Sequence, residues 1–207
     1  MCKYTVPLVY VVHPTGELLG RLYIRDMKKV LAIPGSIRAS SSNFLLLRAI
    51  AEMMASELEV VIYDGVGLLP HFDPGVAEAP GPVVDFLALL RVSDGVIICT
   101  PEYAHGVPGS LKNAIDWTVS AAGFSGKPTV LITASTDGRF AHAALLEILR
   151  VIEARDVERL SLLIPFVRAK INAHTGVIED KTLAEVRGVM EAFVRILSEG
   201  ESPSTVE

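Results

Sequence analysis

KVLAIPGSIRASSSNFLLLRAI, residues 29–50, joins an apolar run to a helical pattern through a polar junction. KVLAIP (29–34) reads as a buried strand, because it is a short and nearly continuous apolar run. From Asn43 to residue 57 the spacing is helical, and apolar side chains cover almost the whole circumference. Only a narrow stripe of Arg48, Glu52 and Ser56 is polar, so this helix is expected to touch protein on two sides. Between strand and helix, GSIRASSSN (35–43) carries one arginine, four serines and no large apolar side chain except Ile37.

The same unit recurs along the chain. LEVVIY (58–63), GVIICT (95–100), KPTVLITA (127–134) and ERLSLLIPF (158–166) are further strand-like runs. Helical spacing occupies residues 82–92, 109–122, 139–154 and 180–198, the last with Leu183, Val186, Val189, Met190, Phe193, Val194 and Leu197 on one face. Strands alternating with helices predict a doubly wound α/β fold with a parallel sheet. A natural start of that domain is MKKVLAIPGS at Met27. Residues 1–26 then form an extension, a hairpin or an added strand, and 199–207 a disordered tail, with the domain spanning 27–198. The sequence has no internal repeat.

Composition narrows the function classes. A chain of 207 residues is expected to make one such domain and to bury roughly 70% of its unfolded surface. Half of the residues are hydrophobic, yet no segment reaches the ~18 uninterrupted apolar residues of a membrane span. The formal net charge of −5 gives no general attraction to nucleic acid or to an anionic membrane, and no basic block is present. Neither is expected as a partner. Cys2 and Cys99 are too few for a disulfide framework, and Cys99 in VIICT reads as a buried inert thiol. No secretory cleavage site follows the first apolar run, so a cytoplasmic location is expected.

In an open parallel sheet, ligands bind outside the carboxyl ends of the strands, where the strand order reverses. GSIRASSSN stands at that end of strand one. It lacks the Gly-Lys-Ser/Thr of a Walker loop and the GxGxxG of dinucleotide folds. It offers the hydroxyls of Ser36, Ser40, Ser41 and Ser42, the free amides of a helix start, and the charged fork of Arg38, a set suited to a terminal phosphate. Ser40 to Ser42 capping the helix, with Arg38 solvated, is the alternative on this stretch alone.

A second motif, TPEYAHGVPGSLKNAIDW (100–117), follows strand three. With it the chain resembles the NADPH-dependent FMN reductase family of flavodoxin-like proteins. That family reads GSxRxxSxN after its first strand, matched at Gly35, Ser36, Arg38, Ser41 and Asn43. It reads PEYNxGxPGxLKNAIDW after its third, matched from Pro101, Glu102 and Tyr103 through Gly106, Pro108 and Gly109 to Leu111–Trp117. The similarity spans about residues 27–198. It implies a five-stranded sheet of order 2-1-3-4-5, with FMN as cofactor and NADPH or NADH as hydride donor. Ser36, Arg38, Ser41, Ser42 and Asn43 would hold the phosphate, and Pro101, Glu102, Tyr103, Ala104, His105 and Gly106 the isoalloxazine ring. Ser135, Thr136 and Gly138 are candidates for the pyrimidine edge. The family's homodimers or homotetramers, with flavin at the interface, would agree with the all-round apolar helix.

Two positions depart from the family pattern. Its asparagine after PEY is Ala104 here, leaving only a backbone amide, and its frequent glycine pair after strand four is the single Gly138 in ASTDGRFAH (134–142). Pro101, Gly106, Pro108 and Gly109 still make a stiff loop whose amides can approach a flat ring. Tyr103 would border that ring or simply pack; Glu102 would bond backbone or a neighbouring subunit. His71 and His105 read as loop residues rather than catalytic groups, no spacing resembles a metal site, and Lys112, Asn113, Asp116 and Trp117 read as structural. Hydride passing directly between cofactors needs no protein acid or base, so no catalytic side chain is named.

Three functions fit these features. The first is an enzyme passing hydride from NAD(P)H to FMN and then to a flavin, quinone, azo or metal-oxyanion acceptor in a ping-pong cycle. The second is a flavodoxin-like electron carrier, and the third a flavin-free relative, against which the intact phosphate motif argues. Arg38 and Arg139 are candidates for a 2′-phosphate by charge alone.

Overall fold

The computed structural model describes residues 27–199, except 39, 173 and 174. The expected extension 1–26 and the tail beyond Glu199 lie outside the described residues. Five strands, β1 (Lys28–Pro34), β2 (Leu58–Ile62), β3 (Gly95–Thr100), β4 (Thr129–Ala134) and β5 (Ser161–Ile164), form one sheet. The order is β2-β1-β3-β4-β5 and every pairing is parallel, as expected. The order reverses between β1 and β3, so the loops after these two strands border one crevice.

The helices are α1 (Ser42–Met53), α2 (Gly81–Val92), α3 (Gly109–Thr118), α4 (Arg139–Val151), α5 (Val167–Lys170) and α6 (Asp180–Glu199). Each strand side chain alternates between two cores. Val30 and Ala32 of β1 face α1 and α6, meeting Leu46, Leu47, Ile50, Met190 and Phe193. Leu31 and Ile33 face the other helix layer, meeting Phe86, Leu90, Leu111 and Leu145. A sheet covered on both faces explains why β1, β3 and β4 read as continuous apolar runs rather than alternating ones. Each large side chain buried there contributes about 1.5–3 kcal/mol relative to exposure.

Helix α1 accounts for its apolar circumference within the chain. It packs on β1, β2 and β3 and lies beside α6, while Leu45, Ala49 and Met53 are half-buried against the same core. The two protein sides expected of it are therefore the sheet and α6, and its composition no longer argues for a subunit interface. The serine-rich junction is short because Ser41 caps α1, its hydroxyl accepting the Phe44 N–H at 3.2 Å.

Two elements after β5 were not expected. Phe166 adopts a left-handed backbone (φ 55°), and the chain then makes α5 in place of a simple loop. Ile171 next pairs antiparallel with Ile178, and the Asn172 N–H donates to the Val177 carbonyl at 2.9 Å. The amides of Phe166 and Val167 donate to the carbonyls of Thr136 and Ser135, so this turn is tied to the loop after β4.

Candidate functional site

The loop after β1 is built for close approach. Gly35 donates its N–H to the Cys99 carbonyl at 2.8 Å, and a Cβ on it would fall 2.1 Å from the Thr100 hydroxyl, so only glycine lets the chain leave the sheet here. Ser36 is buried and its hydroxyl accepts the Arg38 N–H at 3.3 Å, bending the loop back toward α1. The amides of Ser42 and Asn43 open α1 and have no helical carbonyl four residues behind them, which makes them donors for an anion.

Asn43 holds the site together from beneath through its side chain. Its side chain is buried, its amide donates to the Ala134 carbonyl at 3.2 Å, and its Oδ1 accepts the Cys99 thiol at 3.3 Å. It fastens α1 to β3 and β4 under the site. Burial in turn pushes the Cys99 thiol far up in pKa, in keeping with an inert side chain.

After β3 the chain makes a tight reverse turn. Tyr103 and Gly106 exchange both backbone hydrogen bonds, at 3.1 and 2.9 Å, leaving the amides of Ala104 and His105 outside that pairing. Both central residues are left-handed, Ala104 at φ 48° and His105 at φ 55°, which is the geometry that favours asparagine and glycine. The family's asparagine at position 104 thus suits the backbone as well as a ligand. His105 stacks on Phe140, with ring centroids 4.3 Å apart and planes 24° from parallel. The Tyr103 hydroxyl stands 3.5 Å from that of Ser36, too long for a hydrogen bond, and brings the two loops together over the crevice.

Glu102 joins this turn to the loop after β4. Its N–H donates to the Ser135 hydroxyl at 3.1 Å, and its Oε2 accepts the N–H groups of Phe140 and Ala141. Of the two roles open to it, bonding backbone is the one it performs. Gly138, at φ 91°, starts α4; a Cβ there would lie 2.9 Å from Leu163, so the residue serves the turn itself. Arg139 forks onto Asp137 through Nε at 2.7 Å and Nη2 at 2.9 Å, and this hydrogen bonding holds the Asp137 carboxyl below its usual range. Its guanidinium is thereby engaged, whereas that of Arg38 forms no ion pair among the described residues.

The motif's helical half is structural, as expected. Lys112 pairs with Asp116 at 2.6 Å. Asn113 accepts the Phe72 N–H at 2.7 Å and donates to the Pro70 carbonyl at 2.9 Å, and the Trp117 indole donates to the same carbonyl at 2.8 Å.

One open cleft of about 860 Å³ gathers most of the expected residues: Ser36, Arg38, Ser41, Ser42, Asn43, Pro101, Glu102, Tyr103, Ser135 and Thr136. Ala104, His105, Gly106 and Gly138 lie outside its lining. The opposite wall was missed, because it comes from α5 and the Ile171–Ile178 pairing, where Arg168, Lys170 and Glu179 project into the cleft. The one sequence signal for that wall was two basic residues just after a strand. Among the described residues no group of three or more His, Cys, Asp and Glu could hold a metal, and no helix is long and apolar enough to cross a membrane.

The donors present fit FMN. The hydroxyls of Ser36 and Ser40 to Ser42, the first amides of α1 and Arg38 supply donors and charge for a phosphate. The Pro101–Tyr103 segment and the Ser135–Thr136 loop line the same cleft and would supply backbone for a polar ring edge.

Comparison with known proteins places these features in a family. Residues 28–168 match the NADPH-dependent FMN reductase family. A quinone reductase of Escherichia coli is 32% identical over 174 residues, covering 80% of this chain and 93% of that protein. An NAD(P)H-dependent FMN reductase of Pseudomonas aeruginosa is 29% identical over 175 residues, covering 81% and 94%. Among solved structures, the flavoenzyme NAD(P)H:(acceptor) oxidoreductase of Paracoccus denitrificans superposes with a TM-score of 0.69 at 26% identity, covering 84% of this chain and 98% of that one. With its serine loop, its PEY turn and its 2-1-3-4-5 sheet in these positions, the chain belongs to the NADPH-dependent FMN reductase family.

Proposed function

We propose that this protein is an FMN-dependent NAD(P)H oxidoreductase that passes electrons to a small acceptor, a flavin, quinone, azo compound or metal oxyanion, in a ping-pong cycle. The observation that carries the reading is the convergence of the serine loop, the Pro101–Tyr103 segment and Ser135–Thr136 on one cleft. The related quinone reductase and FMN reductase support the same class. FMN, when bound, takes up hydride and returns the electrons, so the protein need only bind and orient.

The residues divide that work. Arg38 and the serine hydroxyls hold the phosphate, while Glu102 and Asn43 fix the loops that carry the ring. Ala104 and Gly106 have too little bulk to cover a flat ligand, and His105 spends its ring on Phe140, which leaves room for a nicotinamide or an acceptor to stack. A carrier reading would need the ring enclosed. A Bacillus cereus flavodoxin shares the fold with a TM-score of 0.55, but at 18% identity that likeness speaks for the fold alone. The cytoplasm, where nicotinamide donors are and a free Cys99 stays reduced, suits this activity, and a homodimer or homotetramer remains part of the reading.

Initial rates test it. FMN-loaded protein is assayed with NADPH and NADH against a quinone, free FMN, an azo dye and a metal oxyanion, varying both substrates. Parallel reciprocal lines with at least one acceptor are expected, whereas lines that intersect would exclude the ping-pong cycle.

A further inference from the structure

The cleft continues beyond the serine loop to a wall that the FMN reading does not use. Its volume of about 860 Å³ is near the upper end of the roughly 300–1,000 Å³ usual for small-molecule sites. This far wall carries Arg168 and Lys170, which join Arg38 across the cleft.

These three cations line one cleft of an acidic chain. Its formal net charge is −5, and Arg139, Arg150, Arg155 and Arg159 are each paired with a carboxylate. Arg38, Arg168 and Lys170 form no ion pair among the described residues. Two carboxylates share the cleft without neutralising them. Glu102 is occupied by the amides of Phe140 and Ala141, and Glu179 accepts the Thr182 hydroxyl at 2.8 Å.

The wall is also held in place. The amides of Phe166 and Val167 are bonded to the carbonyls of Thr136 and Ser135, at 3.0 Å each, and Val167 and Ile171 anchor α5 in the core. The left-handed Phe166, a costly conformation for a bulky residue, is what turns the chain so that Arg168 and Lys170 follow directly at the cleft. A lone FMN phosphate is already provided for by the serine loop, the α1 amides and Arg38. Two further unpaired cations on the opposite wall call for further negative charge.

We infer that Arg168 and Lys170 form a second phosphate subsite, which receives the phosphate of an adenine nucleotide lying beside the FMN phosphate. The inference rests on the FMN reading. Two molecules carry that chemistry: FAD, whose adenylate extends from the flavin phosphate itself, and NADPH, whose 2′-phosphate distinguishes it from NADH.

Binding measurements separate them. Apoprotein is titrated with FMN and with FAD by flavin fluorescence, and FMN-loaded protein with NADP⁺ and with NAD⁺ by calorimetry. The same is done for the double variant Arg168→Glu/Lys170→Glu and for the milder Arg168→Gln/Lys170→Gln. Loss of two charge-assisted contacts is expected to weaken either FAD or NADP⁺ by at least ten- to a hundredfold, with FMN and NAD⁺ held within about threefold. A selective loss for FAD supports the subsite with flavin as its source, and one for NADP⁺ supports it with the pyridine nucleotide. Equal losses for FMN and FAD without a loss for NADP⁺ would assign the pair to the FMN phosphate and overturn the inference, as would no selective loss in either arm. Wild-type protein that binds no flavin would overturn both this inference and the reading beneath it.

Discussion

The carboxylate of Glu102 accepts the backbone N–H of Phe140 at 2.8 Å, so a residue of the loop after β3 caps the helix after β4. Gly138, at the start of that helix, has no side chain to do so. The helix end gains a negative partner, and the turn that follows Glu102 gains a fixed anchor. We expect Glu102→Ala to cost about 1–2 kcal/mol of stability and to weaken FMN binding, with Glu102→Gln in between. Urea unfolding and FMN titration read the two effects. A variant of wild-type stability would show that this cap is idle.

Arg38 supplies the test of the phosphate cradle. Among the described residues its guanidinium forms no ion pair, whereas that of Arg139 is fixed on Asp137. Arg38→Ala should weaken FMN by about 1.5–3 kcal/mol, roughly ten- to a hundredfold, and leave riboflavin almost unchanged. Equal losses for the two flavins would show that Arg38 supports the ring or the fold.

The turn at Ala104 predicts a gain. A left-handed alanine costs about 1 kcal/mol that asparagine largely avoids. Ala104→Asn should therefore raise stability by roughly 0.5–1 kcal/mol, seen as a higher denaturation midpoint at unchanged slope. No rise would mean that the turn relaxes at no cost.

Much of this architecture was legible because its signals are local. β1, β3 and β4 are buried on both faces and so read as unbroken apolar runs, and the α6 pattern repeats along one face. The polar loop after β1 was legible because its hydroxyls and arginine lie within nine consecutive residues. The partners of Asn43 and Glu102 were not, since Ala134 and Phe140 lie 91 and 38 residues away and only the sheet brings them together. The far wall was missed for a related reason. A four-residue helix and a single β-bridge have too few turns or alternations to leave a periodic signal.

His142 makes stability depend on pH. Its ring bonds the Thr133 hydroxyl at 2.9 Å, and burial lowers its pKa below the ordinary 6.5. Between that lowered value and 6.5, the unfolded chain holds a proton that the native chain does not. The contribution is therefore fully present above this window and is lost as pH falls through it. Unfolding curves at successive pH values, compared between wild type and His142→Gln, should show a steeper acid loss for wild type across that window. Parallel curves would place the ring in contact with solvent.

Hydride transfer from a nicotinamide to FMN is measured directly by anaerobic stopped-flow mixing of the FMN-loaded protein with excess NADPH or NADH. At least one of the two should bleach the oxidised-flavin absorbance in a single two-electron phase, and added quinone or free FMN should then restore it. If neither nucleotide bleaches the flavin while dithionite does, the protein does not take hydride from a nicotinamide and is an electron carrier.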